Sequence, residues 1–137
     1  MARRLYNGNL TVEDRILARI NRSRAAVFVP KDFQDISSYP QVLRALKQLV
    51  KDRKIVRFGY GSYAKAKINP FDNRCYPAQD MVSVVRELFD KLGIDWDYSQ
   101  AVKDYNLGLS MQMPMKNFFV LNTRFNRNLK GAEELYA

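Results

Sequence analysis

The chain of 137 residues has room for one ordinary domain or two small ones, and its 47% apolar content is that of a folded protein. One cysteine and no histidine exclude an internal disulfide, a cysteine-rich zinc site and every Ser-His or Cys-His catalytic dyad. The net charge of +9 is uneven: residues 1–69 hold 15 Lys+Arg against 5 Asp+Glu, and residues 70–137 hold 8 against 9.

A basic half beside a neutral one predicts two domains, 1–69 and 70–137, the first suited to a polyanion. Taken alone, the charge fits equally a merely solvated basic surface or one resting on an anionic membrane. No apolar run approaches the ~20 residues of a membrane span. Nor is Met1 to Arg4 followed by the apolar stretch of a secretory signal, so a cytoplasmic protein is expected.

In chain order, residues 11–24 read as a first helix. Thr11 is its N-cap, Asp14 completes a weak capping box, and Val12, Ile16, Leu17 and Ile20 share one face. Residues 26–29 form a brief strand, and Pro30 opens a short helix to about residue 36, with Phe33 and Ile36 inward. The strongest signal is the helix over 38–51. Ser38 and Gln41 predict a capping box around Pro40, and Val42, Leu43, Leu46, Leu49 and Val50 form a buried stripe.

Its opposite side carries Gln41, Arg44, Gln48 and Lys51, with Lys47 beside them. Residues 55–58 and 62–66 bracket Gly59-Tyr60-Gly61 as a hairpin whose turn depends on glycine. Helix, short strand, helix, longer helix and hairpin is the order of a winged helix-turn-helix, whose third helix enters the major groove. Arg and Gln are the residue types that read guanine and adenine edges. The expected contacts to duplex DNA are therefore Lys31, Ser38, Tyr39, Gln41, Arg44, Lys47, Gln48, Lys51, Arg57, Tyr60 and Lys65. An ordinary solvated helix face is the alternative for the stripe taken alone.

Several of these segments resemble a known family. Residues 29–33 (Val-Pro-Lys-Asp-Phe), 42–46 (Val-Leu-Arg-Ala-Leu), Leu49-Val50, 55–57 and 61–64 resemble the winged-helix domain of AbiEi-type antitoxins, and most closely a short bacterial branch of unknown function. Tyr105-Asn-Leu-Gly108 with Ser110, Gln112 and Pro114 is similar to a further stretch of that branch. The resemblance implies a DNA-binding, self-repressing regulator, and with it the antitoxin of a two-gene system whose partner is a nucleotidyltransferase-like toxin. The second half is short for the full neutralising domain of those antitoxins.

Residues 69–77 are rich in turn formers and read as a linker containing Cys75, which has no partner base and is expected to be inert. A helix over 79–92 buries Met81, Val82, Val85, Leu88, Phe89 and Leu92 and stops at Gly93. Asp97 or Ser99 starts another, to about residue 106. Residues 118–121 read as a strand, with a hairpin partner at 125–129. Met111, Met113 and Met115 alternate, which suits one buried strand face or an adaptable surface for a partner protein.

The expected class is α+β: an N-terminal winged helix-turn-helix followed by a small α/β subdomain. The neutral half is expected to meet protein, as a homodimer or with a cognate toxin, through Trp96 and Tyr98, although Trp96 fits a core position equally well. No catalytic residues, metal, cofactor, small-molecule substrate or membrane contact are expected. Asp95 and Asp97 flank Trp96 as a turn or helix-start cluster. Two other readings fit the same residues: a phage- or plasmid-derived inhibitor built on a winged helix, and a binder of structured RNA.

Overall fold

A computed structural model describes residues 5–6, 9–114, 118–122, 129 and 135–136 of the chain. The fold is mixed α+β, with four α-helices and small antiparallel sheets among the described residues. It divides into two compact units, residues 1–79 and 80–137.

The first unit opens with a two-stranded ribbon of β1 (Leu5–Tyr6) and β2 (Asn9–Leu10). Helix α1 (Val12–Arg22) follows, its start fixed by the Thr11 hydroxyl, which accepts the Asp14 N–H at 3.2 Å. Then come β3 (Val27–Phe28), a 3-10 turn at Pro30–Phe33, and α2 (Tyr39–Lys51). The strands β4 (Ile55–Gly59), β5 (Ser62–Ile68) and β6 (Cys75–Pro77) complete the unit. β3 and β4 flank β5, and β6 pairs with the far end of β5 in the register Lys67↔Tyr76.

The order of these elements follows the sequence, with three differences. The Ser38 hydroxyl caps nothing at the head of α2. The capping box expected of Ser38 and Gln41 therefore does not form, although Pro40 removes only its own N–H and leaves that of Gln41 in place. The 3-10 turn is shorter than the helix expected from Pro30. Residues 69–77 are no simple linker, because β6 pairs with β5 and carries the first unit on to residue 79.

α2 ends in a left-handed residue, Arg53 (φ 61°). The Arg53 N–H bonds Val50 O at 3.0 Å and the Lys54 N–H bonds Leu49 O at 3.0 Å. This is the Schellman ending, with an arginine where glycine is usual, at a cost of about 1 kcal/mol. In the β4–β5 turn the left-handed position falls on Gly61 (φ 62°), as the sequence required.

The helices bury their apolar stripes against the sheet. Ile16 and Ile20 from α1, Phe28, Phe33, Val42, Ala45, Leu46 and Leu49 from α2 and its approach, and Ile55 and Tyr63 from the hairpin form one core. Val12, Leu17, Ile36 and Val50 pack against its edge. Each large side chain fully buried here stabilises the unit by about 1.5–3 kcal/mol relative to exposure.

One ion pair clasps this arrangement from outside. The Arg19 guanidinium donates to both oxygens of Asp35, at 2.6 and 2.8 Å, and to the Asp32 carbonyl at 3.0 Å. The hydrogen bonds from Arg19 hold the Asp35 carboxyl below the usual carboxylate range. A lowered folded-state pKa stabilises above the unfolded value and is lost as pH falls through the folded one. Asp35→Asn is therefore expected to flatten the acid limb of melting temperature against pH below about pH 4. Acid limbs that superimpose would show that the pair contributes nothing.

The second unit contains α3 (Met81–Lys91), β7 (Trp96–Tyr98), α4 (Gln100–Asn106) and β8 (Phe119–Leu121). Asp80 and Ser99 cap the two helices, accepting the N–H groups of Ser83 and Val102. α3 stops at Gly93 (φ 70°), where the Gly93 N–H bonds Asp90 O and the Ile94 N–H bonds Phe89 O. Val84, Val85, Leu88 and Phe89 are its buried face; Met81, Val82 and Leu92 are only half-buried.

Of the two expected starts for α4, Ser99 is the one observed. Residues 95–97 do not start a helix: β7 lies antiparallel to β8, with Trp96 opposite Leu121 and Tyr98 opposite Phe119. The expected partner of β8 at 125–129 falls mostly outside the described residues; Leu129 is buried. The methionine strand is absent among residues 111–114, where Met111 is 98% exposed. Met115 lies outside the described residues. A core role for Met111 and Met113 is thereby corrected, since no sheet partner pairs with residues 111–114 among the described residues.

Candidate nucleic-acid interface

The apolar stripe of α2 packs on α1 and β4, which turns the opposite stripe outward. Gln41, Arg44, Lys47 and Lys51 are exposed along it, at spacings that keep Gln41, Arg44 and Lys51 on one side of the helix. Gln48, half-buried, donates its amide to Asp52 at 3.0 Å and is partly committed in the free protein. Ser38 and Tyr39 are exposed at the head of the helix, Tyr39 by 60%, and Lys31 is exposed on the 3-10 turn.

The β4–β5 turn supplies a second group. Tyr60 stands at its tip, 68% exposed, and the Ser62 hydroxyl fastens the turn by donating to Tyr60 O at 3.2 Å. Arg57 lies opposite Tyr63 in the ladder, and its Nε–H donates to Gly59 O at 3.2 Å across a bulge. That bond aims an exposed guanidinium along the turn. Burial pushes the Tyr63 hydroxyl up, while Arg57 nearby lowers it.

Lys65 is placed differently from the other expected contacts. Its ammonium donates to Ser23 O at 2.5 Å and closes the end of α1. The carbonyls at a helix C-terminus attract a cation, which explains the placement. The sequence could not show it, because Ser23 and Lys65 lie 42 positions apart.

Trp96 and Tyr98 sit half-buried in an aromatic cluster of the second unit. The Trp96 ring meets Phe119 edge-on at 5.3 Å, and its indole N–H donates to Asp90 at 2.6 Å. The Tyr98 ring stacks on Phe119 at 6.0 Å, and its hydroxyl accepts from Arg86 at 3.0 Å. Both rings thus pack within their own unit. Among the described residues of the second unit, Leu107, Leu109 and Met111 are the most exposed apolar side chains. For Met111 the signal was the alternation with Met113, which also suited a buried strand face; nothing in the spacing marked Leu107 or Leu109.

Among the described residues, no three His, Cys, Asp or Glu side chains cluster as metal ligands. Nor is any helix there long and apolar enough to cross a membrane.

A family model matches residues 13–132, which span nearly the whole chain and both units. The chain belongs to the DUF6088 family, a family of unknown function. No curated protein and no solved structure matches this DUF6088 chain. The match takes in α2, the β4–β5 turn and the aromatic cluster together. For a DUF6088 protein the chemistry must therefore be argued from the side chains.

Proposed function

We propose that the first unit is a winged helix-turn-helix that binds duplex DNA, with α2 in the major groove and the β4–β5 turn along the backbone. The observation that carries this reading is the exposed row of Gln41, Arg44, Lys47 and Lys51 on a helix whose other side is locked into the core. A rigid helix presenting Arg and Gln is what base reading requires, since bidentate bonds to guanine and adenine need fixed geometry. Arg57 and Tyr60 at the turn, with Lys31 at the 3-10 turn, suit phosphates.

The same proposal extends to a cytoplasmic regulator, antitoxin-like and self-repressing, as the resemblance to AbiEi-type antitoxins implies. The second unit then contacts protein, either a toxin or a second copy of the chain. The exposed row of Leu107, Leu109 and Met111 supports that role. A strictly monomeric mass on DNA would leave only a foreign partner.

Two substitutions separate reading from holding. Arg44→Ala is expected to lower preference for the selected site over random DNA by ~1–3 kcal/mol, leaving non-specific affinity largely intact. Arg57→Ala is expected to weaken all duplexes about equally. Selection from a random pool, followed by titration of both variants, measures the difference. Identical behaviour of the two would remove α2 from the groove.

A further inference from the structure

The turn between β5 and β6 is tied down more closely than a connection needs. Asn69 Oδ1 accepts the Phe71 N–H at 2.8 Å, and Asp72 Oδ1 accepts the Arg74 N–H at 2.9 Å. The Asn69 N–H bonds Arg74 O at 2.9 Å, and the Asn73 N–H bonds Asn69 O at 2.8 Å. The Tyr76 hydroxyl donates to Asp72 Oδ2 at 2.6 Å, and the Arg53 guanidinium reaches both the carbonyl and the side chain of Asn73.

What this scaffold presents is an apolar ring in water. Phe71 is 97% exposed at the apex, with the half-exposed faces of Ile68 and Tyr76 behind it. Lys67 and Arg74 are exposed beside them. A single exposed apolar side chain is ordinary. A fully exposed phenylalanine on a loop held by hydrogen bonds on both flanks, among cations, is a preorganised contact.

Its position suggests the ligand. Arg53 ends α2, so its grip on Asn73 places this turn at the C-terminal end of that helix. The Tyr60 turn lies at the other end of β5, a seven-residue strand that separates the two turns by roughly 20 Å. The exposed cations beside Phe71, namely Lys67 and Arg74, favour a polyanion over a neutral protein surface. The Asp72 carboxylate in the same turn is engaged by the Tyr76 hydroxyl and the Arg74 N–H.

We propose that Phe71 is a wedge for duplex DNA, its ring inserting between neighbouring base pairs at the edge of the α2 site while Lys67 and Arg74 hold the adjacent phosphates. This rests on the DNA-binding reading above. Apolar side chains inserted at a base step unstack it and kink the duplex. The bend brings more of the backbone against the basic surface.

The test uses the full chain and a pool of mixed-sequence duplexes carrying 2-aminopurine, whose fluorescence rises on unstacking, with dyes at the two ends. The wild-type protein is expected to raise the fluorescence and shorten the end-to-end distance. Phe71→Ala is expected to abolish both signals and weaken binding by roughly tenfold to a hundredfold. Phe71→Leu, which keeps an apolar wedge, is expected to restore much of each. Because the ring is exposed, the melting temperature checks that Phe71→Ala stays folded. Unchanged affinity and fluorescence in Phe71→Ala would overturn the wedge while leaving DNA binding intact. Binding without any fluorescence change in the wild type would overturn it too. A wild-type chain that holds no duplex at all would refute both the wedge and the reading beneath it.

Discussion

Raising salt from 50 to 200 mM is expected to weaken binding of the chain to duplex DNA by about a thousandfold. The figure assumes about six phosphates neutralised, which gives a slope near −5 in log affinity against log salt. The expected donors are the exposed Lys31, Lys47, Lys51, Arg57, Lys67 and Arg74. Lys65 and Arg19 are outside that set, since the first is fixed on Ser23 O and the second on Asp35. Removing one true phosphate contact, for example by Lys47→Ala, is expected to reduce the slope by about one. Lys65→Ala is expected to leave the slope alone and lower stability instead. A flat salt response would take away the electrostatic basis of the proposed function, because phosphate contacts release counterions whatever the sequence.

Phe89→Ala is expected to destabilise the second unit by about 3–5 kcal/mol. The ring is fully buried and meets Phe119 edge-on at 5.6 Å and Tyr136 at 5.8 Å. Losing it removes apolar burial and opens a cavity under β8, which neighbouring rings cannot fill without leaving their own contacts. Trp96 is the single tryptophan of the chain and lies in this cluster, so its fluorescence in denaturant follows this unit specifically. Phe89→Leu, which keeps most of the volume, is expected to cost well under half as much. A Phe89→Ala midpoint unchanged within about 0.5 kcal/mol would mean that the ring is not a packed core residue.

The first unit was largely legible because its signals are local. Val42, Leu46 and Leu49 repeat at helical spacing, and Gly59-Tyr60-Gly61 marks a turn between two strand-like runs. Both patterns arise within a few residues, so the chain states them without knowing its fold. The placement of Lys65 was not legible, since its partner is 42 residues away. Nor was the rigid turn at Phe71, because turn formers in 69–74 mark a bend without saying whether the flanking strands pair.

The second unit shows the limit more sharply. Alternation at Met111 and Met113 has the period of a buried strand, yet both residues are exposed. Burial requires a partner surface, and a period of two cannot supply one. Spacing left Trp96 open between core and interface, and only the pairing of β7 with β8 brings Phe118 and Phe119 against Trp96 and Tyr98.

The helices, the β4–β5 hairpin, the basic charge of the first half and the polar stripe on α2 were all legible along the chain. Each is a matter of local propensity, periodicity or composition. Long-range packing set which cations remain exposed, which aromatic rings are core, and that residues 75–77 pair in a sheet. These depend on contacts between distant residues, whose energies exceed local preference and leave no trace in spacing.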